Sequence, residues 1–140
     1  MQVEHRMIAH AQPEVIYRIY EDVAGWHTWD PDTKQATLDG PLRVGARGRI
    51  TPPKGLTVPM LITQVASDRS FTVESKIPLF RMVFEHELRP CETGTEIVHR
   101  VTFSGLLSLV LGSMLSKQLN AGLPVTLGKL KQLAERQGAA

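Results

Sequence analysis

The sequence predicts an α+β fold, a curved antiparallel sheet of about seven strands wrapped around one long C-terminal helix. Three observations carry that expectation. Residues 34–103 form short alternating apolar and polar runs broken by Gly, Pro, Asp and Ser, the pattern of consecutive hairpins. Residues 105–136 are the one segment long and periodic enough for a major helix. A sheet buried on one face needs a cover, and that helix is the element large enough to supply it.

In chain order, residues 2–10 suit an edge strand, with Val3, His5, Met7 and Ala9 on one side and Glu4, Arg6 and Ile8 on the other. Ala11-Gln12-Pro13-Glu14 then opens a short helix: proline is at ease in a first turn, and Glu14 complements the positive end of the dipole. Val15, Ile16, Ile19, Tyr20 and Val23 follow at helical spacing. One or two short helices therefore separate the first two strands. Both tryptophans, Trp26 and Trp29, fall between Gly25 and Asp30-Pro31, a tight connection whose aromatics are expected to plug one end of the core. Asp30 reads as a turn residue.

Six strands are expected over residues 34–40, 44–52, 57–65, 70–77, 80–89 and 95–103. Three of them can be phased. Phe71, Val73, Ser75 and Ile77 share a face, as do Phe80, Met82, Phe84, His86 and Leu88, and Ile97, His99, Val101 and Phe103. A turn at Pro78-Leu79 pairs Ile77 with Phe80 and Ser75 with Met82. A turn near Glu92-Thr93 pairs Leu88 with Ile97, which makes His86 and His99 neighbours on the inner face.

The final segment has two characters. Leu119, Leu123, Leu127, Leu130, Leu133 and Ala134 recur at steps of three and four, with Lys117, Asn120, Lys131 and Glu135 opposite, so this half closes the sheet. The half from Leu106 to Leu115 has almost no polar side and needs some other cover, a ligand or a partner. Gly122 and Pro124 between them predict one bent helix, with the apolar half as a movable gate.

Composition excludes several classes. The chain has 140 residues, a single-domain length, 16 Lys and Arg against 14 Asp and Glu, and no basic run, which sets nucleic acid aside. One cysteine, Cys91, excludes an internal disulfide, and Met1 is followed by Glu4, His5 and Arg6 rather than an apolar signal core, so the cytoplasm is the expected compartment. Leu106–Leu115 spans about ten residues, half of the roughly 20 that cross a bilayer, so stable membrane insertion is not expected.

The segments Pro13-Glu14-Val15-Ile16-Tyr17, Trp26-His27-Thr28-Trp29-Asp30-Pro31 and Gly94 through Gly105 together resemble the START-like (Bet v 1-like, SRPBCC) superfamily, and within it the polyketide cyclase/dehydrase branch. The resemblance covers essentially the whole chain. It implies a helix-grip fold over an internal apolar cavity, and it marks the fold rather than a reaction.

The expected ligand is a small hydrophobic molecule such as a polyketide, isoprenoid or lipid, held between the sheet and the last helix. The inner face supplies Met60, Phe71, Val73, Met82, Phe84, Val101 and Phe103, with Ser75, His86 and His99 as its polar groups. Leu115, Leu119 and Leu123 face it from the helix, and Trp26 and Trp29 close its end. His86 and His99 have two readings: groups that meet a ligand or shuttle a proton in a cyclase or dehydratase, or core histidines bonded to neighbours. Facing each other, they resist double protonation.

No metal or cofactor is expected, because the pair lacks a third ligand unless His5 joins it. Glu85 and Glu87 fall on the outer face as surface charges. Gly45-Ala46-Arg47-Gly48 lacks the following helix of a phosphate loop, and the serines of the last segment lack a nucleophile elbow. A third reading makes Leu106–Leu115 a docking surface, for a second copy of the chain as a homodimer or for a membrane.

Overall fold

The computed structural model describes residues 1–139. Strand β1 (Gln2–Ala9) leads into α1 (Pro13–Glu21) and a short 3-10 helix (Val23–Thr28). Then come β2 (Gln35–Leu38), β3 (Arg47–Thr51), β4 (Val58–Ala66), β5 (Ser70–Ile77), β6 (Phe80–Cys91), β7 (Gly94–Ser104) and α2 (Ser108–Ala139). The seven strands form one antiparallel sheet in the order β1-β7-β6-β5-β4-β3-β2, so β2 to β7 are successive hairpins and the first strand returns to pair with the last.

The expected hairpins form in the expected register. Ile77 pairs with Phe80 and Ser75 with Met82 around a Pro78-Leu79 turn in which Leu79 adopts a positive φ of 67°. Leu88 pairs with Ile97 and His86 with His99. Strand β1 adds His5 opposite His99, so three histidines stand in one row across the sheet. Gly94 takes a φ of 146° and lies so close to the Ala9 carbonyl that a side chain there would collide with backbone.

Helix α2 is a single helix that continues through Pro124, as one long element rather than two. It begins at Ser108, so Leu106 and Leu107 belong to the preceding turn. Its second half buries Leu123, Leu127, Leu130 and Ala134 against the sheet and α1, the stripe expected from the sequence, with Thr126 added to it. Its first half is different: Leu109, Val110 and Met114 are exposed. None of the described helices is long and apolar enough to cross a membrane.

The core divides in two. The larger cluster joins α1, the tryptophan segment, β4, β5 and the end of α2 through Ile16, Tyr20, Trp26, Met60, Ile62, Phe71, Leu127 and Leu130. The smaller one, Val3, Val101, Phe103 and Leu123, draws in Phe80, Met82, Phe84, Leu115 and Leu119. The outer face of β1, β6 and β7 carries an ion-pair lattice centred on Arg100, whose Nε lies 2.7 Å from Glu4 and whose guanidinium lies 2.9 Å from both Glu85 and Glu87. Glu85 and Glu87 are thus on the predicted face, but they are anchors for Arg100 rather than freely solvated charges. These carboxylates hold the Arg100 guanidinium well above its usual pKa, and hydrogen bonds from Arg100 and Arg89 hold Glu87 below its own.

Candidate functional site

A cavity of about 100 Å³ lies between the two core clusters and draws its walls from both. The sheet contributes Val73, Ser75, Phe84, His86, His99 and Val101, and α2 contributes Leu119, Leu123 and Thr126. Trp26, Trp29, Asp30, Asp32, Ile50 and, from the ion-pair lattice, Glu85 and Arg100 complete the lining. Met60, Phe71, Met82, Phe103 and Leu115, also expected from the sequence to line it, do not. Their phase is right, but Met60 and Phe71 are consumed by the larger cluster and the other three by the smaller one. Alternation assigns a face and says nothing of which inward side chains meet one another before they meet a void.

The two imidazoles of this cavity belong to an aromatic assembly, with His99 buried and His86 half-buried. His86 stacks on Phe71 with ring centroids 4.0 Å apart and planes within 2°, and it meets His99 edge-on at 4.8 Å. Because a carbonyl can only accept, His86 Nδ1 carries the proton and donates to the Phe71 carbonyl at 3.2 Å. Its Nε2 is left as an acceptor. His99 Nε2 lies 2.8 Å from the Tyr20 hydroxyl, a bond between β7 and α1. Tyr20 is fully buried against Trp29, Phe71 and both histidines.

Burial decides the charge state. Desolvation penalises the imidazolium and pushes His86 down to about 4, with the Phe71 hydrogen bond opposing it. His99 is pushed well below its ordinary value by burial and then by the neighbouring His86. Both rings are neutral at pH 7, and burial raises the Tyr20 hydroxyl far above its own usual range.

Two further groups set the polarity of the wall. Trp26 Nε1 donates to the Tyr20 carbonyl at 2.9 Å, whereas Trp29 Nε1 is buried with no partner. Asp30 accepts from Thr33 Oγ1 at 2.9 Å, from the Asp32 amide at 3.0 Å and from Thr126 Oγ1 of α2 at 3.2 Å. Burial raises its pKa, and these hydrogen bonds pull against that. Asp30 is therefore more than the turn residue expected from Asp-Pro: it ties the tryptophan segment to the long helix at the cavity. Ser75 is spent on structure, donating to the Pro59 carbonyl at 2.8 Å.

The row of three histidines does not converge. His5 Nε2 donates to Asn120 Oδ1 of α2 at 2.8 Å, His99 turns to Tyr20 and His86 to Phe71. Among the described residues no three His, Cys, Asp or Glu side chains are placed to hold a metal ion. Cys91 is exposed at the end of β6, and its thiol lies 3.8 Å from Thr93 Oγ1.

A curved seven-stranded antiparallel sheet that grips a long C-terminal helix, with short helices after the first strand, defines a helix-grip protein of the Bet v 1-like class. The chain belongs to the family described as polyketide cyclase/dehydrase and lipid transport, whose profile matches residues 1–135. Among solved structures it is similar to protein MLL2253 of Mesorhizobium loti, at 19% identity and a TM-score of 0.79 over 97% of this chain and 98% of that one. It is similar to the di-domain ARO/CYC protein StfQ of the steffimycin biosynthetic pathway, at 15% identity and a TM-score of 0.78 over 99% of this chain and 52% of StfQ. It also resembles Ara h 8.0201, a Bet v 1 allergen, at 12% identity and a TM-score of 0.66 over 93% and 97%. At these identities the likeness is one of fold. No curated protein matches the chain in sequence.

Proposed function

We propose that this protein binds and carries a small, mainly apolar molecule bearing a hydroxyl or carbonyl group, held between the sheet and α2. The observation that carries this reading is a mainly apolar cavity between sheet and helix that presents two histidines held neutral by desolvation and the unpartnered Trp29 indole N–H, beside the hydrogen-bonded Asp30 and the ion-paired Glu85 and Arg100. Ligand pockets commonly combine apolar walls with a few directed polar groups. Family membership supports the same class of ligand.

The resting cavity, about 100 Å³, is well below the roughly 300–1,000 Å³ of pockets that take drug-sized ligands. A polyketide, isoprenoid or lipid chain therefore needs Leu119 and Leu123 to give way, and both sit on the side of Pro124 where α2 is less buried. Displacement of a fluorescent apolar dye, read with native mass spectrometry, tests the proposal. Leu119→Trp, which fills the wall from a half-buried position, is expected to weaken dye binding at least ~10-fold while the fold persists. A wild-type protein that takes up neither dye nor any apolar molecule would overturn it.

A second reading, a poly-ketone cyclase or dehydratase in which the pocket folds the substrate, is favoured by the Tyr20–His99 contact and by the likeness to StfQ. Magnitudes rank it second. A general base works best with a pKa near the operating pH, and His86 at about 4 is a weak base in a neutral cell. If the protein is an enzyme, His99→Ala and Tyr20→Phe should each lower turnover of a poly-ketone by ~100-fold or more while dye binding survives. Equal loss of turnover and binding favours simple carriage.

A further inference from the structure

The exposed apolar side chains are not scattered. Among the described residues eleven large hydrophobic side chains are exposed, and eight of them, Met1, Leu56, Ile77, Leu79, Leu106, Leu109, Val110 and Met114, belong to one end of the sheet. The register puts them there. The β5–β6 turn and the β7–α2 junction adjoin, with Ile77 opposite Phe80 and Arg81 opposite Ser104, and the Leu107 amide donates to the Leu79 carbonyl at 3.0 Å. Strand β1 starts at the same end, with Gln2 opposite Thr102, and the Met1 sulfur packs on Gly112 of α2. The β3–β4 loop that carries Leu56 opens there too, since β4 runs antiparallel to β5. Contiguous exposed apolar surface of this kind marks an interaction site.

The charges of this end are predominantly positive. Segments 1–3, 52–57, 75–82 and 102–119 contain no Asp or Glu, while they carry Lys54, Lys76, Arg81 and Lys117 beside the Met1 ammonium. Arg81 is held by Glu74 at 2.7 Å. None of the three lysines has an ion-pair partner among the described residues. An isologous dimer through this end would bring two faces together whose lysines have no carboxylate partner, the one nearby carboxylate, Glu74, being engaged by Arg81, and like charges oppose that contact. An anionic bilayer surface accepts both features, apolar side chains below the headgroups and lysines beside the phosphates.

We propose that this end docks on anionic membranes, with Leu106, Leu109, Val110 and Leu79 entering the interface and Lys76 and Lys117 resting on the headgroups. The docking is peripheral and reversible, because no described helix spans a bilayer. It reaches beyond ligand carriage and does not depend on it.

Co-sedimentation of the full chain with phosphatidylcholine vesicles, with and without about 30 mol % phosphatidylglycerol, tests the proposal. Binding is expected on the anionic vesicles, reduced at least ~5-fold on neutral ones and similarly reduced by about 0.5 M salt. The double variant Leu109→Asp, Val110→Asp alters two largely exposed positions, so circular dichroism should be unchanged while binding falls at least ~10-fold. Lys76→Glu with Lys117→Glu should remove the preference for anionic lipid, and Val125→Asp, exposed elsewhere on α2, should change nothing. Absence of binding to anionic vesicles, or binding indifferent to the Leu109/Val110 variant, overturns the proposal. So does a dimer in sedimentation equilibrium that this variant dissociates. Dye displacement on the same variants separates failure of docking from failure of ligand carriage.

Discussion

Lowering the pH from 7 to 4.5 is expected to cost the protein about 2 kcal/mol of unfolding free energy through His86, with His99 adding in the same direction. The sign follows from where the proton is bound. In the unfolded chain each histidine takes a proton near pH 6.5, whereas in the fold His86 does so only at about 4 and His99 also well below its usual value. Between those limits the unfolded state holds more protons. The stabilisation is therefore complete above pH 6.5 and is lost as pH falls towards 4. The full interval at about 1.4 kcal/mol per unit gives somewhat more for His86, and its partly accessible edge brings the figure down. Asp30 acts in the opposite sense, because its raised pKa lets the native carboxyl take up a proton before the unfolded one does. Urea unfolding at pH 7 and 4.5 checks the expectation. A double variant, His86→Gln with His99→Gln, should flatten the difference, and an equally steep profile in that variant would count against buried neutral histidines.

Tyr20 is expected to be the most costly single truncation. Its ring is fully buried among Tyr17, Trp29, Phe71, His86 and His99, and removing such a ring typically costs about 3–5 kcal/mol. Against a total stability of roughly 5–15 kcal/mol that is a large share. Tyr20→Phe keeps the packing and deletes only the hydroxyl that meets His99 Nε2, which should cost about 1–3 kcal/mol because a buried nitrogen loses its partner. Denaturant titration of both variants separates the two contributions. Equal losses would mean that the hydrogen bond, not the ring, holds α1 to β7.

Much of this architecture is legible in the sequence because strand phase is a local property. Alternation together with two short turns is enough to place His86 opposite His99 and Ser75 opposite Met82. The site is less legible because its decisive contacts join distant segments. Tyr20 belongs to the apolar stripe of the first helix, and nothing in that stripe singles it out as the partner of a residue 79 positions away. Asp30 beside Pro31 has the local signature of a turn; the bond from Thr126, 96 positions on, is what brings it to the cavity. The five inward residues that pack instead of lining the cavity fail for a related reason, since periodicity counts faces and not volumes.

The Arg100 lattice gives the molecule a fixed jaw. One guanidinium on the outer face clasps Glu4 from β1 and Glu85 and Glu87 from β6, directly behind the strands that carry His86 and His99. Splaying β1, β7 and β6 would break those charge-assisted bonds together with the ladder beneath them. Any expansion of the cavity is thus borne by the opposing jaw, the first half of α2, where Leu109 and Val110 grip nothing. On the proposed carriage of a ligand, the histidine side of the pocket would keep its geometry while the helix moves, and a guest would be measured by the helix against a stationary template.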